Sequence, residues 1–198
     1  MLRTLIAAAL GVAALGGAAQ AADWGGTTYN WSGLYVGAFG GGISGTITPS
    51  SGSNSGPSGA DLGLTVSYAW QSASNWVLTP FVAIPIAGQT GNYGGGVPVR
   101  IDWSVVGGLK LGYAIDRWQP YAFVAAVTGG ATATPGASES HQHTGVAFGL
   151  GADYALTDRW SIGARYAHVS VGAQTYFNSF NVGWDGDSFA GTISYKLR

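Results

Sequence analysis

The chain of 198 residues has no cysteine and one methionine, and only 9% of its residues are charged. Without thiols there is no disulfide framework, no thiolate nucleophile and no cysteine-held metal. Water-soluble domains carry about 25% charged residues, so this chain cannot coat a water-facing surface in the usual way. No basic stripe is present, which argues against a nucleic-acid partner. A long apolar run is missing as well. Beyond the first 21 residues nothing approaches the ~20 consecutive apolar residues of a spanning helix.

What is present in their place is 34 glycines, eight tryptophans, ten tyrosines and a positive mean hydropathy. A lipid-compatible surface without a spanning helix leaves one structure that satisfies its backbone inside a bilayer, a closed β-barrel. The first residues stand apart: Arg3, an apolar stretch over 5–15, and the small-residue site Ala19-Gln20-Ala21. They form a secretory signal peptide, with cleavage expected after Ala21. Residues 22–30 then read as a short periplasmic segment, and 31–198 as the barrel. Without Arg3, seven basic and nine acidic side chains remain, a formal net charge of −2.

The period along the chain supports this class. From residue 100 to 115, Ile101, Trp103, Val105, Leu109, Leu111, Tyr113 and Ile115 alternate with Arg100, Asp102, Ser104, Lys110, Gly112 and Ala114. Period two with one apolar face and one small or polar face is the pattern of a barrel strand. The same alternation recurs in eight segments, near 31–45, 60–73, 76–88, 99–115, 118–129, 143–157, 160–172 and 186–197. Three linkers are short (74–75, 116–117 and 157–159) and four are long (46–59, 88–98, 129–142 and 172–183). Short periplasmic turns and long outer loops are the layout of outer-membrane barrels. The expected fold is all-β: an eight-stranded antiparallel transmembrane β-barrel in the outer membrane of a Gram-negative bacterium.

A repeated unit marks the short turns. "YALTDRWSIGARYA" (154–167) resembles "YAIDRWQPYAFVA" (from 113) and "YAWQSASNWVLTPFVA" (from 68). Trp76, Trp118 and Trp160 follow the three turns, Tyr68, Tyr113 and Tyr154 precede them, and Tyr195 lies near the last strand's end. Amphipathic rings recurring at one depth predict a periplasmic aromatic girdle.

"NWSGLYVGAFGGG" (30–42) and "GLGADYALTDRWSIGARYAHVSVG" (149–172) resemble the opening strand and the strand six–seven hairpin of the porin-like outer-membrane β-barrel family abundant in alphaproteobacteria. The resemblance implies an eight-stranded barrel whose relatives include surface antigens, structural proteins and a few haem binders. It departs from that family at its end, "SYKLR", where an aromatic residue is usual.

An eight-stranded barrel is just wide enough for its own side chains to fill it. Alternation places Asp61, Arg100, Asp102, Lys110, Asp153 and Arg165 inward as a polar lumen network, in which opposite charges must pair. Lys110 and Asp153 are expected at similar depth, with Arg165 within reach of an acid. This favours a salt-bridged plug, and the alternative is a narrow porin for ions or small solutes. A third reading uses His168 and Ser170, two apart and hence on one face of a strand. They resemble the His-x-Ser pair of outer-membrane lipid A deacylases. That pair is followed by Asn there and by Val171 here, and the nearest later acids, Asp185 and Asp187, fall in or near the last loop. His141 and His143 close the third long loop and are weak candidates for a metal; no metal or cofactor is expected. Tyr176, Phe177 and Phe180 could form a surface patch.

The sequence thus predicts a structural or surface-interaction protein with at most small passive permeability. Its expected partners are outer-membrane lipids and lipopolysaccharide, the outer-membrane assembly machinery, and a surface ligand or host protein.

Overall fold

The computed structural model describes residues 28–48, 55–86, 88–93, 97–134, 138–178 and 180–197. The expected signal peptide (1–21), most of the expected 22–30 segment and Arg198 lie outside the described residues. The strands are β1 (Gly33–Thr48), β2 (Ser55–Gln71), β3 (Trp76–Pro85), β4 (Gln89–Tyr93), β5 (Val97–Tyr113), β6 (Trp118–Ala133), β7 (Glu139–Ala155), β8 (Trp160–Tyr176) and β9 (Phe180–Lys196). All neighbours pair antiparallel, and β1 pairs with both β2 and β9, so the sheet closes on itself. β3 and β4 both lie between β2 and β5. They are two pieces of one wall strand, and the barrel has eight.

Closure follows from the alternation. Leu62, Leu64, Leu109, Leu111, Phe148, Leu150, Phe189 and Ile193 are exposed outward, while Phe39, Phe81, Tyr121, Ala125 and Ala147 are buried inward. In water that exterior would be a liability; in a bilayer it is the solvated face. The short turns are set by residues that tolerate left-handed backbone, Asn75 (φ 65°) and Asp116 (φ 49°).

The strands run further outward than the sequence period indicates. β2 and β5 through β9 hold 16 or 17 residues. At a rise of about 3.4 Å and a tilt near 45° such a strand reaches about 40 Å, against an apolar band about 25 Å tall. On β6, β7 and β9 the band ends near Val124, Val146 and Phe189, with Thr128, Thr144 and Asp187 beyond it, while on β3 and β5 it continues to Ile86 and Trp103. The four expected long loops are therefore mostly strand, paired as far as Thr48↔Gly183, Ala133↔Glu139 and Tyr176↔Phe180. The outward face is polar there and bulges shift the parity of the inward apolar residues, so the hydrophobic period fades while backbone pairing continues.

Two bulges change which face a residue occupies. On β5 the register shifts between Ile101 and Trp103, and on β8 between Val171 and Gln174. One inserted residue reverses the parity of everything beyond it.

Candidate functional site: a layered lumen and a polar outer face

Inward side chains fill the lumen in layers. At the periplasmic end Trp31 and Tyr35 pack with Ala69, Val77, Ala114 and Ala155. The Trp31 amide donates to Gln71 Oε1 (2.7 Å), and the Tyr35 hydroxyl donates to the Trp31 carbonyl (2.9 Å). The residues just before β1 are thus drawn across the mouth of the barrel. Lys196 Nζ fastens them by donating to the Asn30 carbonyl (2.6 Å).

Above this floor stand two ion pairs. Lys110 Nζ lies 3.9 Å from Asp153 Oδ2 and 4.6 Å from the centroid of the Tyr121 ring. Arg165 Nη2 lies 3.6 Å from Asp61 Oδ2, and its guanidinium carbon is 4.1 Å from the centroid of Phe39. Asp61 also accepts the Ser188 hydroxyl (2.5 Å) and Asp153 that of Thr192 (3.3 Å). Each acid therefore has a cation and a hydroxyl, as a buried carboxylate requires. Ser188 and Thr192 carry no charge, so the charge-based reading missed them; their inward parity on β9 was the available signal.

Inward glycines make room for the rings beside them. Phe123 lies on Gly149, where an added Cβ would stand 2.7 Å from the ring, and Phe39 lies on Gly63 in the same way. Rings pressed flat against the wall leave space along the axis. That space is a cavity of about 120 Å³ in the outer half of the lumen, lined mainly by Phe39, Phe81, Phe123, Val127, Ala147 and Val169.

Arg100 and Asp102 are not in the lumen. The bulge at Asp102 puts Ser104, Val106 and Lys110 inward on one side of it, and Val99 inward on the other. Arg100 and Asp102 point outward above the apolar band. There Arg100 Nη2 pairs with Asp102 Oδ1 (2.8 Å), and the Thr132 hydroxyl donates to Asp102 Oδ2 (2.6 Å). Strict alternation through the segment assigned them to the wrong face.

The bulge on β8 likewise turns Tyr176 inward. Its side chain is fully buried with Ile47, Val99, Ala133 and Val182, and Phe177 packs against that cluster. Tyr176 is therefore a roof of the lumen rather than part of a surface patch; the Phe180 side chain lies outside the described residues. His141 and His143 flank Tyr176, with ring centroids at 4.6 and 6.0 Å. His143 Nε2 is 3.0 Å from the Tyr176 hydroxyl, and His141 Nε2 is 2.8 Å from Glu139 Oε1. His143 thus bonds to this roof, while His141 bonds to Glu139 and sets its ring edge-on to Tyr176. Among the described residues no group of three His, Cys, Asp or Glu is placed to hold a metal ion. Glu139 lies beyond the apolar band. Its hydrogen bond to His141 and the Phe177 amide hold its carboxyl below the ordinary carboxylate range.

On the outer wall, His168 and Ser170 face lipid and the outer interface. Asp185 and Asp187 stand in β9 opposite them, not in a loop: the register pairs are Ser170↔Asp185 and His168↔Asp187. Asp187 Oδ1 lies 2.9 Å from His168 Nδ1 and accepts the Tyr166 hydroxyl (2.5 Å). Among the described residues no hydrogen bond joins Ser170 to His168.

At the other interface each turn's Trp packs on a Tyr of the next repeat. The ring centroids are 5.3 Å apart for Trp76–Tyr113, 4.8 Å for Trp118–Tyr154 and 4.9 Å for Trp160–Tyr195. Those pairs are also direct cross-strand partners. Tyr68 stands on the same face but is covered, with Trp70 at 4.7 Å.

A closed antiparallel barrel with a lipid-facing exterior and a packed interior is an integral outer-membrane protein by construction. Sequence comparison places it further. Residues 5–185 match the outer membrane protein beta-barrel domain family, and the chain belongs to that family. No curated protein sequence matches it. Its fold is similar to that of Neisserial surface protein A (13% identity, 84% of this chain and 98% of that one, TM-score 0.58). It is also similar to that of Ail, the attachment invasion locus protein of Yersinia pestis, solved in complex with the heparin analogue sucrose octasulfate. There the identity is 14% over 84% of this chain and 99% of that one, with a TM-score of 0.55.

Proposed function

We propose that this protein is exported by its signal peptide to the Gram-negative outer membrane, where it serves a structural and surface-interaction role with a closed lumen. The "NWSGLYVGAFGGG" motif supports placing it in the alphaproteobacterial porin-like branch. The observation that carries the reading is the lumen's layering. Trp31 and Tyr35, then Lys110–Asp153, then Arg165–Asp61 stand one above another, and the two ion pairs compensate each other without a counter-ion from solvent. An ion entering this stack has to separate a pair in a low-dielectric interior, which costs several kcal/mol. The test is planar-bilayer recording of the purified protein. A flat baseline at all voltages is expected; discrete conductance steps refute the closed lumen.

The outer end supplies the interaction surface, formed by the paired strands that rise above the apolar band. Among the described residues it carries the carboxylates Asp102, Glu139, Asp185 and Asp187 against Arg100 and three imidazoles, His141, His143 and His168, so with the histidines neutral it is acidic. A sulfated ligand of the kind bound by Ail is disfavoured by that sign, and a neutral or basic partner surface is favoured. Lipopolysaccharide surrounds the barrel wall, and the assembly machinery inserts it. The protein is not a hydrolase in this reading: Asp187 orients His168, yet Ser170 is not engaged by it. Purified protein should leave the acyl chains of lipid A intact. Fatty-acid release that disappears in His168→Ala overturns this point.

A further inference from the structure

We propose that the outer half of the lumen is a binding chamber for a small, uncharged, apolar molecule, reached sideways from the outer leaflet through a seam in the barrel wall. The chamber lies above the closed layers, so it goes beyond the surface role and does not depend on conduction.

Two sets of observations meet here. The first is the chamber itself. Its volume of about 120 Å³ is bounded mainly by three phenylalanine rings and by alanine and valine side chains, with Gln89, Ser104, His143 and Trp184 at its margins. An apolar cavity of roughly 150 Å³ stays dry and takes up benzene, so a single ring or a short branched alkane matches this one. Its base is the Arg165–Asp61–Ser188 cluster, whose charges are internally matched. A charged ligand would therefore enter without a counter-charge, and an uncharged one loses nothing.

The second is the wall beside it. β3 pairs with β5 as far as Ala83↔Val106, and pairing with β5 resumes on β4 at Gln89↔Ile101. Between these, Ile84, Pro85 and Ile86 have no cross-strand partner on β5 among the described residues. Pro85 has no N–H to give, and the β5 bulge at Asp102 falls opposite. The chamber's lining includes Pro85, Gln89, Ile101 and Ser104, the inward residues on either side of this interruption. Outside it stand Ile84 and Ile86, exposed and apolar, and across β5 the Trp103 ring lies over Gly130. A break in the ladder, an apolar chamber behind it and lipid-facing side chains before it form a continuous apolar route. Above the chamber Val182 packs with Tyr176, whose hydroxyl bonds to His143.

The test uses the full mature chain in lipid nanodiscs with benzene as probe, read by NMR. Saturable intermolecular NOEs from benzene to the methyl groups of Ala147, Val127 and Val169 are expected, and Ala147→Phe should abolish them. Val169→Phe serves as a second filling variant if the first does not fold. NOEs confined to the lipid-facing methyls of Val124, Val146 and Leu150, or rising without saturation, show partition into lipid only and overturn the chamber. Water cross-peaks at Ala147 and Val169 that benzene does not displace overturn it too. For the route, Ile86→Cys with Trp103→Cys in this cysteine-free chain places a disulfide across the seam. Oxidation should slow benzene exchange at least tenfold, reversibly with reductant; an unchanged exchange rate in the oxidised form overturns the seam. None of these readouts depends on conductance, so failure of the chamber and failure of the closed lumen are distinguishable.

Discussion

Consider Asp61→Asn, which keeps the shape of the side chain and a partner for Ser188 but removes the charge facing Arg165. At 3.6 Å and an effective dielectric of about 20, the lost attraction is about 4–5 kcal/mol. The replacement amide needs less desolvation than the carboxylate, and the Phe39 ring at 4.1 Å still stabilises the guanidinium. The net cost should therefore be about 3 kcal/mol, at the lower end of what breaking a buried pair costs. That is roughly two orders of magnitude in the folding equilibrium. Urea unfolding of the refolded barrel in lipid vesicles measures it, followed by tryptophan emission and by the heat-dependent gel shift. Arg165→Met alone should cost a similar amount, because it strands Asp61. The double variant should return to within about 1 kcal/mol of wild type, since a neutral interior has no charge to leave unpaired. Single and double effects that add to within about 0.5 kcal/mol would mean that water screens the pair, and the packed lumen would be wrong.

Gly149→Ala should destabilise the barrel by about 1–3 kcal/mol, the usual range for overpacking, in the same urea assay. The added methyl meets both the Phe123 ring and the Tyr166 carbonyl, so Phe123→Leu should rescue it only in part. Trp160→Ala should cost about 1 kcal/mol through the lost Tyr195 pair and interfacial anchoring, with no effect on the lumen ion pairs. Glu139 has its carboxyl held low by His141 and the Phe177 amide, so its contribution is present above the ordinary carboxylate range and is lost as pH falls through the lowered folded value. Amide exchange of Phe177, corrected for intrinsic rate, should therefore quicken on acidification, and Glu139→Gln should remove that dependence.

Much of this was legible in the residues. Lys110, Asp153, Asp61 and Arg165 sit on the small-residue face of their strands, and that parity is readable wherever the opposite face is apolar. Arg100 and Asp102 sit on the same segment by sequence and on the opposite face in space. The β5 bulge leaves no hydrophobic mark, because Ile101 and Val99, turned inward beyond it, continue the apolar spacing of Trp103 and Val105. Tyr176 escaped because the β8 bulge, between Val171 and Gln174, falls in the expected loop. Asp187 falls inside the expected strand at 186–197 and Asp185 just before it, but only the pairing with β8 brings Asp187 to His168.

The sequence by itself determined the class. Period two, scarce charge and aromatic residues at the short turns leave a membrane barrel as the structure that satisfies both backbone and surface. It determined strand count and orientation, because turn length and ring placement are local properties. Only the tertiary structure decided which acid meets which cation, where the lumen is filled and where it stays open, and which Trp finds which Tyr. Those depend on register, bulges and closure between strands distant in the chain, and the energy of each contact is settled across the barrel rather than along it.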